Sequence, residues 1–150
     1  MKTPNLILEE AQRKASELNV AYQGALSPKD AYAVLISSAD AKLVDVRCRA
    51  ELDWVGRIPK ATEIEWATYP GMIPHPNFIS LLEQQVKKET LVLFICRTGG
   101  RSNAAATLAT QAGYTHCYNI MEGFEGDKNI DGHRSTSNGW RAAKLPWMQS

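Results

Sequence analysis

Cys96-Arg97-Thr98-Gly99-Gly100-Arg101-Ser102 is the segment of this 150-residue chain whose residue types could do chemistry together. It follows Leu91 to Ile95, an uninterrupted apolar run of the kind found in parallel strands buried on both faces. It leads into an alanine-rich stretch, Ser102 to Ala112, that reads as a helix stopped by Gly113. Open α/β sheets place ligands there, outside the carboxyl ends of their strands. A loop entering a helix points backbone N–H groups inward and carries the positive end of the helix dipole. Gly99 and Gly100 allow the positive φ angles that an anion-binding nest requires. Arg97 and Arg101 add two permanent charges with the fork geometry suited to oxyanions. Each of these features favours thiolate over thiol, so Cys96 is expected to be a nucleophile beside a bound anion. A buried, inert strand-end cysteine followed by a Gly-Gly turn is the plainer reading and suffices for a lone cysteine. It does not account for a strand, a cysteine, two arginines, two glycines and a helix start meeting in seven residues.

The elements that would position this loop can be read along the chain. Leu6, Ala11, Ala15 and Leu18 stand at roughly helical spacing and predict an N-terminal helix over 6–18. Ser27-Pro28 is an N-cap followed by proline at the first helical position, opening a helix to about Ser37 that would bury Ala31, Val34 and Leu35. Strands are expected at 42–46, near 62–64, at 91–95 and at 117–120, and helices at 50–55, closed by Gly56, and at 77–88. Tyr69 to Pro76 holds three prolines and is expected to be loop throughout. Strands alternating with helices imply an α/β layer fold with a mainly parallel sheet.

Composition sets the outer limits. Seventeen Lys and Arg against sixteen Asp and Glu leave a net charge of +1, with 22% charged and 44% hydrophobic residues. That balance suits one soluble globular domain and lacks the basic surface of a nucleic-acid binder. No apolar stretch approaches the ~18 residues of a membrane span, and no signal peptide is visible, so a cytoplasmic protein without membrane partners is expected. Three cysteines with no Cys-x-x-Cys pair suggest neither a disulfide framework nor a zinc site. His75, His116 and His133 are isolated from one another, and no metal ligand is assigned. Nothing in the charge fixes the oligomeric state.

The loop Cys96 to Ser102 resembles the active-site loop of the single-domain rhodaneses, the thiosulfate sulfurtransferase-like family, and the likeness runs over about residues 24–148. Leu43-Val44-Asp45-Val46-Arg47 followed by Glu51 is similar to the family's Asp-Val-Arg…Glu signature. Gly56-Arg57-Ile58-Pro59-Lys60-Ala61 resembles its Gly-His-Ile-Pro-Gly-Ala turn, with Arg57 and Lys60 as departures. Gly113-Tyr114 and Met121-Glu122-Gly123-Phe124 resemble its Gly-Tyr…Leu-Xaa-Gly-Gly segment, with Phe124 replacing the second glycine. Gly139 to Pro146 is similar to the closing Gly-Trp…Ala-Gly-Leu-Pro. The resemblance implies an N-terminal helical extension at 1–23 and a rhodanese-like domain at 24–150. That domain would have a central parallel sheet with helices on both faces and a loop inserted at about 125–139.

The family further implies that Cys96 takes the outer sulfur of a small anionic donor such as thiosulfate, becomes a persulfide, and yields that sulfur to cyanide, a thiol or a protein acceptor. No cofactor is implied beyond that covalent persulfide. The loop N–H groups of Arg97 to Ser102 and the two arginine side chains would hold the donor, with Trp66 and Tyr69 as possible pocket lining beside ordinary packing. Two other readings compete. Cysteine-loop phosphatases and arsenate reductases follow Cys-x5-Arg, whereas Arg101 gives Cys-x4-Arg, a tighter ring of amides. A sulfur carrier without turnover would deliver persulfide sulfur to a partner protein. Asp45, Arg47 and Glu51 read as a structural ion pair and cap rather than as acid–base groups. Cys117 reads as a core residue, and Cys48 as a thiol that could be exposed and could resolve a persulfide. The 125–139 insertion reads as a mobile surface loop, or as a lid or partner-docking loop, and its acids lack EF-hand spacing. Trp140 and Trp147 are expected to anchor the C-terminal segment.

Overall fold

The structure is a computed structural model that describes residues 2–150. Its first helix, α1 (Pro4–Leu18), is capped by Thr3, whose Oγ1 accepts the Leu6 N–H at 3.2 Å, and closes at Asn19 in the left-handed conformation. The buried stripe is Ile7, Ala11 and Ala15, at strict four-residue intervals. Leu6 and Leu18, expected on that stripe, are 41% and 48% exposed; the i, i+4 register puts them off the face that meets the sheet.

Next come β1 (Gly24–Leu26), α2 (Pro28–Ser37), β2 (Lys42–Asp45), α3 (Arg49–Val55) and β3 (Thr62–Glu63). A small hairpin of β4 (Ala67–Thr68) and β5 (Ile73–Pro74) precedes α4 (Phe78–Gln85), β6 (Leu91–Ile95), α5 (Gly100–Gln111) and β7 (His116–Ile120). Five strands form one sheet in the order β1-β7-β6-β2-β3, with every neighbouring pair parallel. Alternation along the strands divides the core. Val44, Val46, Val92, Phe94 and Cys96 face α4 and α5, packing with Phe78, Leu82, Ala105 and Ala109. Leu43, Leu93, Ile95, Tyr118 and Ile120 face α1 and α2, packing with Ile7, Ala11, Ala31 and Val34. The expected α/β architecture, a parallel sheet flanked by helices on both faces, is the one present.

Four local expectations give way. β1 carries no β-branched residue and was not anticipated; it is held as an edge strand by register with Tyr118 to Ile120. The segment 69–76 is not loop throughout, because Ala67 and Thr68 pair antiparallel with Pro74 and Ile73. Proline is tolerated there since the hairpin is all edge. α4 stops at Gln85 rather than Lys88: Val86 turns extended, is buried, and its carbonyl accepts the Tyr114 hydroxyl at 2.6 Å. α5 begins two residues early, at Gly100. Downstream, Trp140 is fully buried, with its indole N–H on the Pro146 carbonyl at 2.8 Å, whereas Trp147 is 36% exposed against Phe124 and Arg141. No helix among the described residues is long and apolar enough to cross a membrane.

Candidate functional site

β6 is buried from Val92 to Ile95, and it delivers Cys96 to the carboxyl edge of the sheet with 1% of its surface exposed. The Cys96 Sγ accepts the Gly99 N–H at 3.1 Å and lies 3.3 Å from the buried Ser102 Oγ. Ser102 Oγ–H also donates to the Gly99 carbonyl at 3.2 Å. Gly99 sits at φ +108°, a conformation open to glycine, and starts α5 directly beneath the sulfur. The first amide of the helix with a helical acceptor is that of Asn103, on Gly99 O at 3.1 Å. Those of Gly100, Arg101 and Ser102 have none, as at any helix start. Gly99 and Ser102 are therefore brought together around the Cys96 sulfur at the start of the helix, as the core of a nest. Thr98 stands exposed on its lip, beside a shallow recess shared with Tyr22 and Asn119.

Both arginines of the loop have carboxylate partners. Arg101 forms a bidentate pair with Glu51, Nη1 to Oε1 at 2.6 Å and Nη2 to Oε2 at 2.9 Å. Burial alone would push the Glu51 carboxyl up, but the Arg101 hydrogen bonds and charge, with help from Cys48, hold it down at about 2. Arg97 donates its Nε–H to Glu125 Oε2 at 3.0 Å. Arg101 is thus engaged at both Nη atoms and braces the loop, whereas Arg97 is tied through Nε alone, with its side chain 46% exposed.

A second brace comes from the chain after β7. The Phe124 N–H donates to the Cys96 carbonyl at 2.8 Å, and the amides of Glu125 and Gly126 donate to the Arg97 carbonyl at 3.0 and 3.3 Å. A Cβ on Gly123, which has φ +70°, would lie 2.5 Å from Arg97 O and 2.7 Å from Cys96 O, so this close approach demands glycine. The buried Phe124 ring takes the Arg47 guanidinium 4.0 Å above its centroid. Arg47 is itself paired with Asp45 at 2.7 Å, both side chains fully buried. The expected ion pair is thus Asp45–Arg47, while Glu51 accepts the Cys48 N–H at 3.1 Å and turns to Arg101. Sequence reasoning missed Glu125, Phe124 and Asn119 as partners of the loop; Asn119 Nδ2 reaches Gly99 O at 3.4 Å. Only the departure at Phe124 hinted at any of them.

Other residues fall into place around this frame. Cys48 is buried rather than exposed, its thiol 3.1 Å from Glu51 Oε1 and pushed up by burial. Cys117 is a core residue, its thiol pushed up to about 11 by burial. Trp66 packs edge-on against Phe78 at 5.0 Å, and Tyr69, 58% exposed, against Trp54 at 6.3 Å. Neither is a hydrogen-bond partner of the nest. The 125–139 segment closes on itself: Asn138 accepts the Asp127 N–H at 2.8 Å, Ser135 donates to Glu125 O at 2.7 Å, and Arg134 to Gly126 O at 2.8 Å. Its stem is the Glu125 that grips Arg97. Among the described residues no three His, Cys, Asp or Glu side chains gather as metal ligands.

The family model described as rhodanese-like domain matches residues 27–129. An uncharacterized protein of Rickettsia conorii is 37% identical over 124 residues, covering 79% of this chain and 91% of its own. A protein from M. tuberculosis, known from its crystal structure, superposes with a TM-score of 0.79 at 40% identity, over 86% of this chain and 99% of that one. A thiosulfate sulfurtransferase of Tolumonas auensis is 40% identical over 53 residues, 35% of this chain and 50% of its own length.

Proposed function

Because the chain belongs to the rhodanese-like domain family, we propose that it is a sulfurtransferase and that Cys96 carries the transferred sulfur. The observation that carries this reading is the Cys96 sulfur held at the start of α5, with the Gly99 N–H already on it at 3.1 Å. In the first half-reaction the Cys96 thiolate attacks the outer sulfur of a donor such as thiosulfate. The donor's S–S bond breaks, its electron pair leaves with sulfite, and a Cys96 persulfide remains. In the second, cyanide or a thiol, free or on a partner protein, takes the outer sulfur and returns the thiolate. The amides at the head of α5 stabilise the negative charge on the outer sulfur in both steps. Arg97 and Arg101, tied to Glu125 and Glu51, fix the loop that aims those amides.

Intact-protein mass spectrometry after incubation with thiosulfate tests the assignment. Wild type should gain one sulfur atom, lose it to cyanide, and show no gain as Cys96→Ser. A gain that persists in Cys96→Ser would reassign the nucleophile. Hydrolysis of p-nitrophenyl phosphate with no sulfur gain would instead support the phosphatase reading.

A further inference from the structure

A second cavity opens at the amino-terminal edge of the sheet. Its volume is about 590 Å³, within the range of small-molecule sites, ~300–1,000 Å³. Leu43, Ile58 and Trp140 form a buried apolar floor, and the Tyr32 ring stands edge-on to Trp140 at 5.9 Å. At the mouth are two exposed lysines, Lys42 and Lys60. No acid lines the cavity; the nearest in sequence, Asp40, lines the adjoining groove on the other side of Lys42. Neither lysine takes part in a salt bridge among the described residues. Lys60 also holds φ +68°, a left-handed conformation that glycine would adopt without strain.

We propose that this cavity binds a small carboxylate with an apolar body, such as a medium-chain fatty acid. The chain would lie on Leu43, Ile58 and Trp140, and the carboxylate between Lys42 and Lys60. An apolar pocket with a few convergent polar groups is the usual form of such a site, and two unpaired cations over an acid-free lining select an anion. Lys42 pairs with Val92 at the start of the strands, and Asp45 with Ile95 at their end. The cavity therefore lies at the opposite edge of the sheet from Cys96, and its occupation is independent of the sulfurtransferase reading.

Calorimetric titration of the full chain with decanoate tests the proposal. Saturable binding at one site per chain is expected. Affinity should fall about tenfold or more in the Lys42→Gln/Lys60→Gln double variant, as for loss of a charge contact worth one decade. The uncharged decanol should bind wild type more weakly by a similar factor, and Lys14→Gln, on α1, should match wild type. Absence of saturable binding would overturn the proposal, as would equal affinity in the double variant or equal affinity for decanol.

Discussion

The carboxylate of Glu51 is shared by Arg101, by the Cys48 N–H and by the Cys48 thiol. It joins the first turn of α3 to the loop after β6, and its proton equilibrium reports that junction. Folded, it titrates at about 2 against an ordinary 4.5. A lowered carboxylate contributes stability that is present above the ordinary value and lost as pH falls toward the folded one. The shift corresponds to on the order of 3 kcal/mol. Urea unfolding followed as a function of pH should show wild type losing stability between 4.5 and about 2. Glu51→Gln should be less stable at neutral pH, with a flatter acid limb. At the same scale, Gly123 and Gly132 both hold positive φ, at +70° and +80°, but an added Cβ meets the Cys96 and Arg97 carbonyls only at Gly123. Alanine at Gly132 should cost about 1 kcal/mol of backbone strain, read from the denaturation midpoint, and alanine at Gly123 clearly more, because its Cβ also meets fixed backbone atoms. Only Gly123→Ala should also slow sulfur loading of Cys96, by mass spectrometry. Residue types made the nest legible in advance, since cysteine, glycines and helix start are contiguous. Glu51 and Glu125 were not legible as arginine partners, because those pairs close over 50 and 28 residues of chain.

Among the elements, those with a local signal were readable. Ser27 and Pro28 announced α2, and the Ser27 Oγ does accept the Asp30 N–H at 3.2 Å. Ser27→Ala should therefore destabilise the chain by about 1 kcal/mol in urea unfolding, the usual cost of losing an N-cap. The apolar run 91–95 announced β6, since a strand covered on both faces needs no polar alternation. Elements whose signal is tertiary were not readable. β1 exists because β7 offers it a partner, and the end of α4 is set by what Tyr114 does to Val86. In α1 the expected Ala11 and Ala15 are buried, but Ile7 takes the place of Leu6, since the two are equally apolar and only the sheet chooses between them.

At the scale of the whole molecule, α1 is a cover. Ile7, Ala11 and Ala15 close one face of the sheet beside Tyr118, and the Gln12 amide donates to the Tyr118 hydroxyl at 3.0 Å. Deleting residues 2–18 should lower unfolding free energy by about 4 kcal/mol, from the apolar area re-exposed. A truncated chain with unchanged thermal midpoint would show that the helix does not hold the sheet. The carboxylate pairing of Arg97 and Arg101 has a kinetic consequence. With each loop cation paired to a carboxylate and a net charge of only +1, the molecule has little net charge with which to draw an anionic donor inward. Encounter then proceeds by unassisted diffusion, and raising the salt concentration should leave the rate of sulfur loading almost unchanged, where a steered reaction would slow steeply.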